Sequence, residues 1–375
     1  MSDEKSDLAG PGVGSYEEVV RALPRDYRPL LDPKRTMAAL NDVKAHIEAG
    51  LCRELNLTMV RVPLIVEADS GVNDLLDRDG SRTPVSFQCG LGLETPLNAE
   101  VVQAATKWKR MALKTFDCAP GEGICTDMRA IRKDYFLDQD HSAYVDQWDW
   151  ERAITAEDRN LGFLTDVVSR IWKVIWEAEA RVQERFPELN DPRYPNLPEK
   201  LAFVHAEDLL DRYPDLPRKA REERLLQEHP AVFIYGIGWP LADGHPHELR
   251  AADYDDWVTE TVSADGRPMH GLNGDILVWN PVTRRRHELS SMGIRVTAES
   301  LMTQLQLSDQ LELADQPYHQ AILNDRIPLS IGGGIGQSRL YMLLLRKAHI
   351  GEVEVSVWPR VLRQICAERS IPLLS

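Results

Sequence analysis

The spacing of apolar residues along the chain changes period several times, and each change marks an element. Over 36–55, Met37, Leu40, Val43, Ile47, Leu51 and Leu55 recur three to four residues apart, which predicts a long amphipathic helix. A strand over 58–62 follows and stops at Pro63, since proline has no amide hydrogen to give to a ladder. A short strand over 85–87 and a helix over 99–114 come next. In Tyr144-Val145-Asp146-Gln147-Trp148-Asp149-Trp150-Glu151 polar residues alternate with indoles. A strand there turns Gln147, Asp149 and Glu151 to one face and the two tryptophans to the other. Leu164, Val167, Val168, Ile171, Trp172, Ile175, Ala178 and Val182 outline a second long helix that closes before Pro187, and 190–198 reads as a loop.

Short strands are expected over 201–204, 232–235, 276–279 and 292–296. Segments 274–280 and 288–295 look like two arms of one hairpin, with a basic turn over 281–287 between them. The run Gly332-Gly333-Gly334-Ile335-Gly336 reads as a flexible turn that delivers Arg339 and the apolar helix beginning at Leu340. Helices and strands alternate without a βαβ period, which favours an α+β fold, a mostly antiparallel sheet flanked by helices, over a doubly wound one. Residues 1–14 lack periodicity and read as a disordered leader, and 15–375, without repeat or composition break, as a single domain.

Composition narrows the function classes. With 375 residues and 43% hydrophobic content the chain can bury a large core, and no apolar run is long enough to cross a bilayer. Residues 1–15 carry Asp, Glu, Gly and Pro instead of a basic segment followed by an apolar one, so a cytoplasmic protein without membrane association is expected. The cysteines, Cys52, Cys89, Cys118, Cys125 and Cys366, are scattered and form no CxxC pair, which points to neither a disulfide framework nor a thiolate zinc site. A formal net charge of -15 argues against a nucleic-acid partner.

Candidate chemistry starts from the glycines before Arg339, which suit a nucleotide: backbone can approach a base or phosphate closely while the arginine arrives on a rigid helix start. If the hairpin arms pair, Asp275 and Glu288 set two hard oxygen ligands beside it, as a Mg²⁺-triphosphate needs; the alternative is a pair of solvated strand ends. Of the two basic runs, Lys107-Trp108-Lys109-Arg110 and Arg284-Arg285-Arg286-His287, the second is expected at an exposed hairpin tip. The acidic run Asp253-Tyr254-Asp255-Asp256 and the turn Asp243-Gly244-His245-Pro246-His247-Glu248 lack a convincing metal-ligand set. No Walker-type, G-x-S-x-G or H-E-x-x-H motif occurs, so the pattern suggests ATP used without a P-loop.

Four motifs carry a resemblance: Gly121-Glu122-Gly123-Ile124-Cys125-Thr126-Asp127-Met128-Arg129-Ala130-Ile131-Arg132, His141-Ser142-Ala143-Tyr144-Val145-Asp146-Gln147-Trp148-Asp149-Trp150-Glu151-Arg152, Leu272-Asn273-Gly274-Asp275-Ile276-Leu277-Val278-Trp279-Asn280-Pro281 and Glu288-Leu289-Ser290-Ser291-Met292-Gly293-Ile294-Arg295. From about Lys34 onward the chain closely resembles the aspartate-ammonia ligases, the ammonia-dependent asparagine synthetases. That family in turn resembles the catalytic domain of class II aspartyl- and asparaginyl-tRNA synthetases. The resemblance implies ATP-dependent synthesis of L-asparagine from L-aspartate and ammonia through β-aspartyl-AMP, with release of AMP and pyrophosphate. It implies a homodimer formed through 36–63, Arg132 on the α-phosphate, Gly334 and Arg339 with the bent triphosphate and adenine, and Mg²⁺ at Asp275 and Glu288. It also implies an aspartate pocket of Asp74, Lys109, Gln147, Asp149, Ser291 and Arg295, with Arg132, Lys109 and Arg339 as the catalytic groups.

Charge gives these residues roles, since Asp74 and Asp149 suit the ammonium of aspartate while Lys109 and the forked Arg295 suit its carboxylates. Two departures stand out. Ala104 occupies a position where the family often has serine, which removes one possible hydrogen bond to aspartate, and the polar stretch 77–82 differs from bacterial members. The rival readings are a tRNA synthetase or a paralogue that passes its adenylate elsewhere, a nucleotide sensor without catalysis, and a glutamine-dependent enzyme. The chain before Thr36 is too short for an OB-fold anticodon module, a sensor needs no metal pair with a phosphate clamp, and no N-terminal cysteine nucleophile is present.

Overall fold

The first long helix, Pro33–Leu55, starts where the Asp32 side chain accepts the Arg35 amide and Pro33 fills a position that needs no amide donor. It ends at Asn56, which adopts the left-handed conformation at φ 55°. Its partner, Leu161–Arg185, starts at Asn160, whose side chain accepts the Phe163 amide. The two helices approach closely because position 50 is glycine: a Cβ there would lie 2.5 Å from Val174 Cγ1. Their apolar stripes, with Trp148, Trp150, Met292, Ile331 and Ile335 from the sheet, make the largest core cluster. The computed structural model describes residues 15–74, 76, 82–90, 92, 94–263 and 266–374; the leader over 1–14 and most of the stretch 77–82 lie outside them.

The strands are β1 (Leu57–Val60), β2 (Ile65–Glu67), β3 (Val85–Cys89), β4 (Leu97–Val101), β5 (Gly123–Ile131), β6 (Tyr144–Ala153), β7 (Ala202–His205), β8 (Ala231–Tyr235), β9 (Glu260–Val262), β10 (Pro268–His270), β11 (Asn273–Asn280), β12 (Arg285–Ile294) and β13 (Ser330–Gly336). Eight of them form one sheet in the order β1-β5-β6-β13-β12-β11-β8-β7, antiparallel except for the parallel pairs β1·β5 and β7·β8 at its two edges. A three-stranded sheet, β2-β4-β3, and the β9·β10 hairpin stand apart from it. Since Trp148 and Trp150 face the two long helices, the alternation along β6 turns Gln147, Asp149 and Glu151 to the opposite face of the sheet.

Three elements differ from expectation. The helix over 99–114 is replaced by strand β4 and a shorter helix, Thr106–Thr115, because β4 is held as the middle strand of the small sheet. Tertiary pairing overrides local propensity there. The glycine-rich run is no turn but β13, a central strand flanked by β6 and β12, and none of its glycines has a positive φ. The basic turn is shorter than expected, because Arg285, Arg286 and His287 already belong to β12. His287 is buried; only Arg284 and Arg285 of that run are exposed.

Candidate active site

A single row of residues crosses five adjacent strands. Asp275 on β11 pairs with Ser291 on β12, Ser291 with Gly334 on β13, Gly334 with Asp149 on β6, and Asp149 with Thr126 on β5. Directly paired residues share a face, so four residues singled out in the sequence are set side by side by register alone. Glu288 joins them through a β-bulge. The shift between Ile276 and Leu277 leaves Asp275 opposite Ser291 but Leu277 opposite Glu288, and this one-residue slip brings Glu288 onto the face of Asp275.

The glycines of β13 make room for charge. A Cβ on Gly334 would stand 2.9 Å from Asp149 Oδ1 and 3.1 Å from Gln147 Oε1, and one on Gly332 would stand 1.8 Å from Glu151 Oε2. The missing side chains are filled by carboxylate and amide groups of the neighbouring strand, which conformational freedom alone does not require.

Beneath the surface lies a layer of buried ion pairs. From the Thr106–Thr115 helix Lys109 Nζ donates to Asp149 Oδ1 at 2.6 Å and to the Gly333 carbonyl at 2.8 Å. Asp149 Oδ2 is left without a hydrogen bond. Asp74 Oδ2 accepts the Thr106 amide at 2.7 Å, while its Oδ1 is buried without a partner. Burial raises the Asp74 carboxyl to about 6, against the opposing pull of the Lys107 ammonium. Arg295 is gripped from two sides, by Glu151 at 2.9 Å and by Asp255. Lys107 pairs with Asp253 at 2.9 Å, and Arg159 with Asp256 at 2.5 Å. The acidic run at 253–256 thus supplies counter-charges for buried cations, and Lys107, Lys109 and Arg110 of the basic run are interior.

Above this layer opens a cleft of about 260 Å³. It is lined by Gln147, Ser291 and Gly334, by Arg132, Arg218, Arg250, Arg286 and Arg339, and by Glu248 and Glu288. Arg132 is oriented by its Nε, which donates to the Gln103 carbonyl at 3.0 Å. Arg339 donates through Nη1 to the Glu288 carbonyl at 3.3 Å, and His287 Nε2 lies 3.0 Å from the Arg339 carbonyl. Of the residues singled out in the sequence, Arg132, Gln147, Glu288, Ser291, Gly334 and Arg339 line the cleft, whereas Asp74, Lys109, Asp149, Asp275 and Arg295 are nearly solvent-free and do not line it.

Several cleft residues were not picked out beforehand. Arg286 sits in a run that resembles a solvated tip, and its counter-ion Glu222 is far away in sequence. Arg218 pairs with Glu248 at 2.6 Å. His141 is held by Asp138 at 2.9 Å and Asp140 at 3.0 Å. Burial alone would lower its pKa, but the two aspartates push it up to about 9, so it stands in the cleft as an imidazolium. With its two aspartates the protonated ring makes a cluster that carries its own cation.

Comparison with known proteins adds identity to this geometry. Residues 34–370 match the family model of aspartate-ammonia ligase. The aspartate-ammonia ligase of Bacteroides fragilis is 46% identical over 352 residues, covering 94% of this chain and 98% of that protein. The enzyme of the same description from Clostridium tetani is 44% identical, covering 94% and 97%. In fold, the chain is similar to the asparaginyl-tRNA synthetase of Entamoeba histolytica in complex with asparaginyl-adenylate, at TM-score 0.59 and 15% identity, covering 86% of this chain and 66% of that one. It is also similar to the asparaginyl-tRNA synthetase of Pyrococcus horikoshii complexed with asparaginyl-adenylate, at TM-score 0.60 and 15% identity, covering 87% and 70%. The sheet and its flanking helices are thus a class II synthetase catalytic fold. With a family match that spans nearly the whole chain and relatives this similar over their full length, the protein is a ligase and belongs to the aspartate-ammonia ligase family.

Proposed function

We propose that the protein makes L-asparagine from L-aspartate, ATP and ammonia through β-aspartyl-AMP, releasing AMP and pyrophosphate. The observation that carries this reading is one cleft lined by five arginines together with Gln147, Ser291 and Gly334, where Gly334 pairs across the sheet with Asp149, the partner of Lys109. A carboxylate is a poor electrophile. Its β-oxygen attacks the α-phosphorus, pyrophosphate leaves, and ammonia then adds to the acyl carbon and expels AMP. Arg132 and Arg339 stabilise the charge that grows on the α-phosphate and the leaving group, as preorganised donors in a dry site do. Arg218, Arg286 and the charged His141 extend the same field over the rest of the polyphosphate. Lys109 and Arg295 hold the field for the substrate carboxylates, and the unpartnered oxygens of Asp74 and Asp149 accept its ammonium.

Asp275 and Glu288 have the chemistry for Mg²⁺. Burial raises the Asp275 carboxyl to about 7 despite the Arg250 guanidinium, with Glu288 and Glu248 adding to the effect. Two carboxylates are hard oxygen donors of the kind that fit a dication, which when bound would neutralise phosphate charge.

We further read the enzyme as a cytoplasmic homodimer formed through the first long helix and β1. Met59 on β1 is 40% exposed in the single chain, as a residue of a covered face would be, and no described helix is long and apolar enough to cross a membrane. A monomeric mass in solution would contradict the dimer.

Product analysis tests the reaction. Purified protein given L-aspartate, ATP and Mg²⁺, with and without ammonium, should form asparagine and AMP in equal amounts only when ammonium is present. Aspartate-dependent pyrophosphate exchange without asparagine would instead mean activation for another acceptor, the reading that the synthetase-like fold also allows.

A further inference from the structure

The wall of the cleft holds a second polar cluster with no role in the scheme above. Asp146 on β6 and Glu354, beyond the Gln337–Leu344 helix, converge with the hydroxyls of Ser142, Ser338 and Ser356. The Ser338 amide donates to Asp146 Oδ1 at 2.9 Å, and the hydroxyls of Ser142 and Ser356 are 2.8 Å apart. Glu354 is 4% exposed, yet neither of its oxygens completes a hydrogen bond of normal geometry, and nor does the hydroxyl of Ser338, which is 3% exposed. The three serine hydroxyls lie close enough to Glu354 to favour its ionised form. Four of the five residues line the same cleft as Arg132 and Gln147.

The chemistry here is the reverse of the rest of the cleft. The five residues include no lysine, arginine or histidine, though the Arg129 guanidinium acts on Asp146 from outside the cluster; they offer two carboxyls and three hydroxyls, all able to accept. Burial, with the neighbouring Asp146 charge, pushes the Glu354 carboxyl up to about 8. A buried acid with both oxygens unpaired beside a second carboxyl is costly, and a cation between the two removes that cost. An ammonium ion carries four N–H donors and no lone pair, so surroundings rich in acceptors suit it.

We propose that Asp146, Glu354 and the hydroxyls of Ser142, Ser338 and Ser356 form a binding site for a small monovalent cation, ammonium, in the wall of the cleft. The inference rests on the reading that ammonia is the nitrogen donor. It adds a place where the donor is gathered from solution before it reaches the acyl-adenylate. Asp146 is next to Gln147 in β6, so the site and Gln147 are joined through one strand.

The test is a comparison of Michaelis constants in the full-length enzyme. Glu354→Gln keeps the shape and removes the charge, so KM for ammonium chloride should rise about tenfold or more, as expected for loss of a charge-assisted contact. KM for aspartate and for ATP should change by less than about twofold on the same scale. Potassium chloride should compete with ammonium in the unaltered enzyme, and less so in the variant. Ser356→Ala, at the rim of the cluster, should shift the ammonium KM in the same direction and keeps the test available if Glu354→Gln does not fold. An unchanged ammonium KM in both variants, or a rise confined to the ATP KM, overturns the proposal. An unaltered enzyme without any ammonium-dependent turnover overturns the ligase reaction itself, a result separable from either variant's behaviour.

Discussion

The carboxylate of Glu151 occupies the space that a side chain on Gly332 would need: a Cβ built on Gly332 falls 1.8 Å from Glu151 Oε2. Glu151 cannot swing away freely, because Arg295 holds it at 2.9 Å and the Ser330 hydroxyl donates to its Oε1 at 2.6 Å. Gly332→Ala should therefore cost more than ordinary overpacking, about 3 kcal/mol or more, since it strains a buried ion pair as well as the strand. Denaturant unfolding of the variant checks this, and a loss below about 1 kcal/mol would mean that the pocket yields.

Arg295 depends on two carboxylates at once, Glu151 and Asp255, in a site where all three side chains are nearly free of solvent. Removing one partner leaves a buried charge half-compensated. Asp255→Ala should lower stability by about 3–5 kcal/mol, whereas Glu299→Ala, on an exposed helix turn, should change it by less than about 0.5 kcal/mol. Melting curves of the two variants decide whether Asp255 acts as this counter-charge.

These buried pairs explain what the sequence disclosed and what it concealed. The long helices and the hairpin were legible because their signals are local: apolar residues at helical spacing, and two arms of alternating residues around a short turn. The Asp275, Ser291, Gly334 and Asp149 row was legible residue by residue through resemblance, but its alignment needed strand register. The bulge that turns Glu288 to the face of Asp275 has no sequence mark. The basic run at 284–287 misled because a charge reads as solvated unless its partner is known, and the partner of Arg286, Glu222, lies far along the chain. The glycine run misled in another way. Its glycines serve close packing of acidic side chains, and a packing glycine looks in sequence like a turning one.

Arg132 should be the most sensitive of the cleft arginines if it meets the α-phosphate. Its Nε is fixed by the Gln103 carbonyl, so the guanidinium is oriented before substrate binds. Arg132→Ala is expected to lower kcat about a hundredfold or more, by the loss of one preorganised donor to developing charge. Turnover within about threefold of the unaltered enzyme, in steady-state assays with saturating ATP, would remove Arg132 from that role.

Asp74 gives the enzyme an acid limb. Burial raises its carboxyl to about 6. A raised acid stabilises the fold most at low pH, where it is protonated in both folded and unfolded states, and that contribution is lost as pH rises through the folded value. Function runs the other way, because only the ionised form can meet the substrate ammonium. For aspartate, kcat/KM should fall as pH drops through about 6, and Asp74→Asn should give a lower but flat profile over the same range. If the variant retains the same acid limb, the titrating group is elsewhere.

Asp275 tests the metal. Its carboxyl is pushed up to about 7 by burial, with Glu288 and Glu248 beside it and Arg250 opposing. A dication bound there would draw the group to its ionised form, so Mg²⁺ affinity should weaken as pH falls through that value. Asp275→Asn keeps the size of the side chain and removes its charge, and should raise the Mg²⁺ concentration for half-maximal turnover at least about tenfold. EDTA should abolish turnover of the unaltered enzyme, and added Mg²⁺ should restore it. Equal Mg²⁺ dependence in Asp275→Asn and the unaltered enzyme would assign the ion to other ligands, and would leave Asp275 as the counter-charge of Arg250 alone.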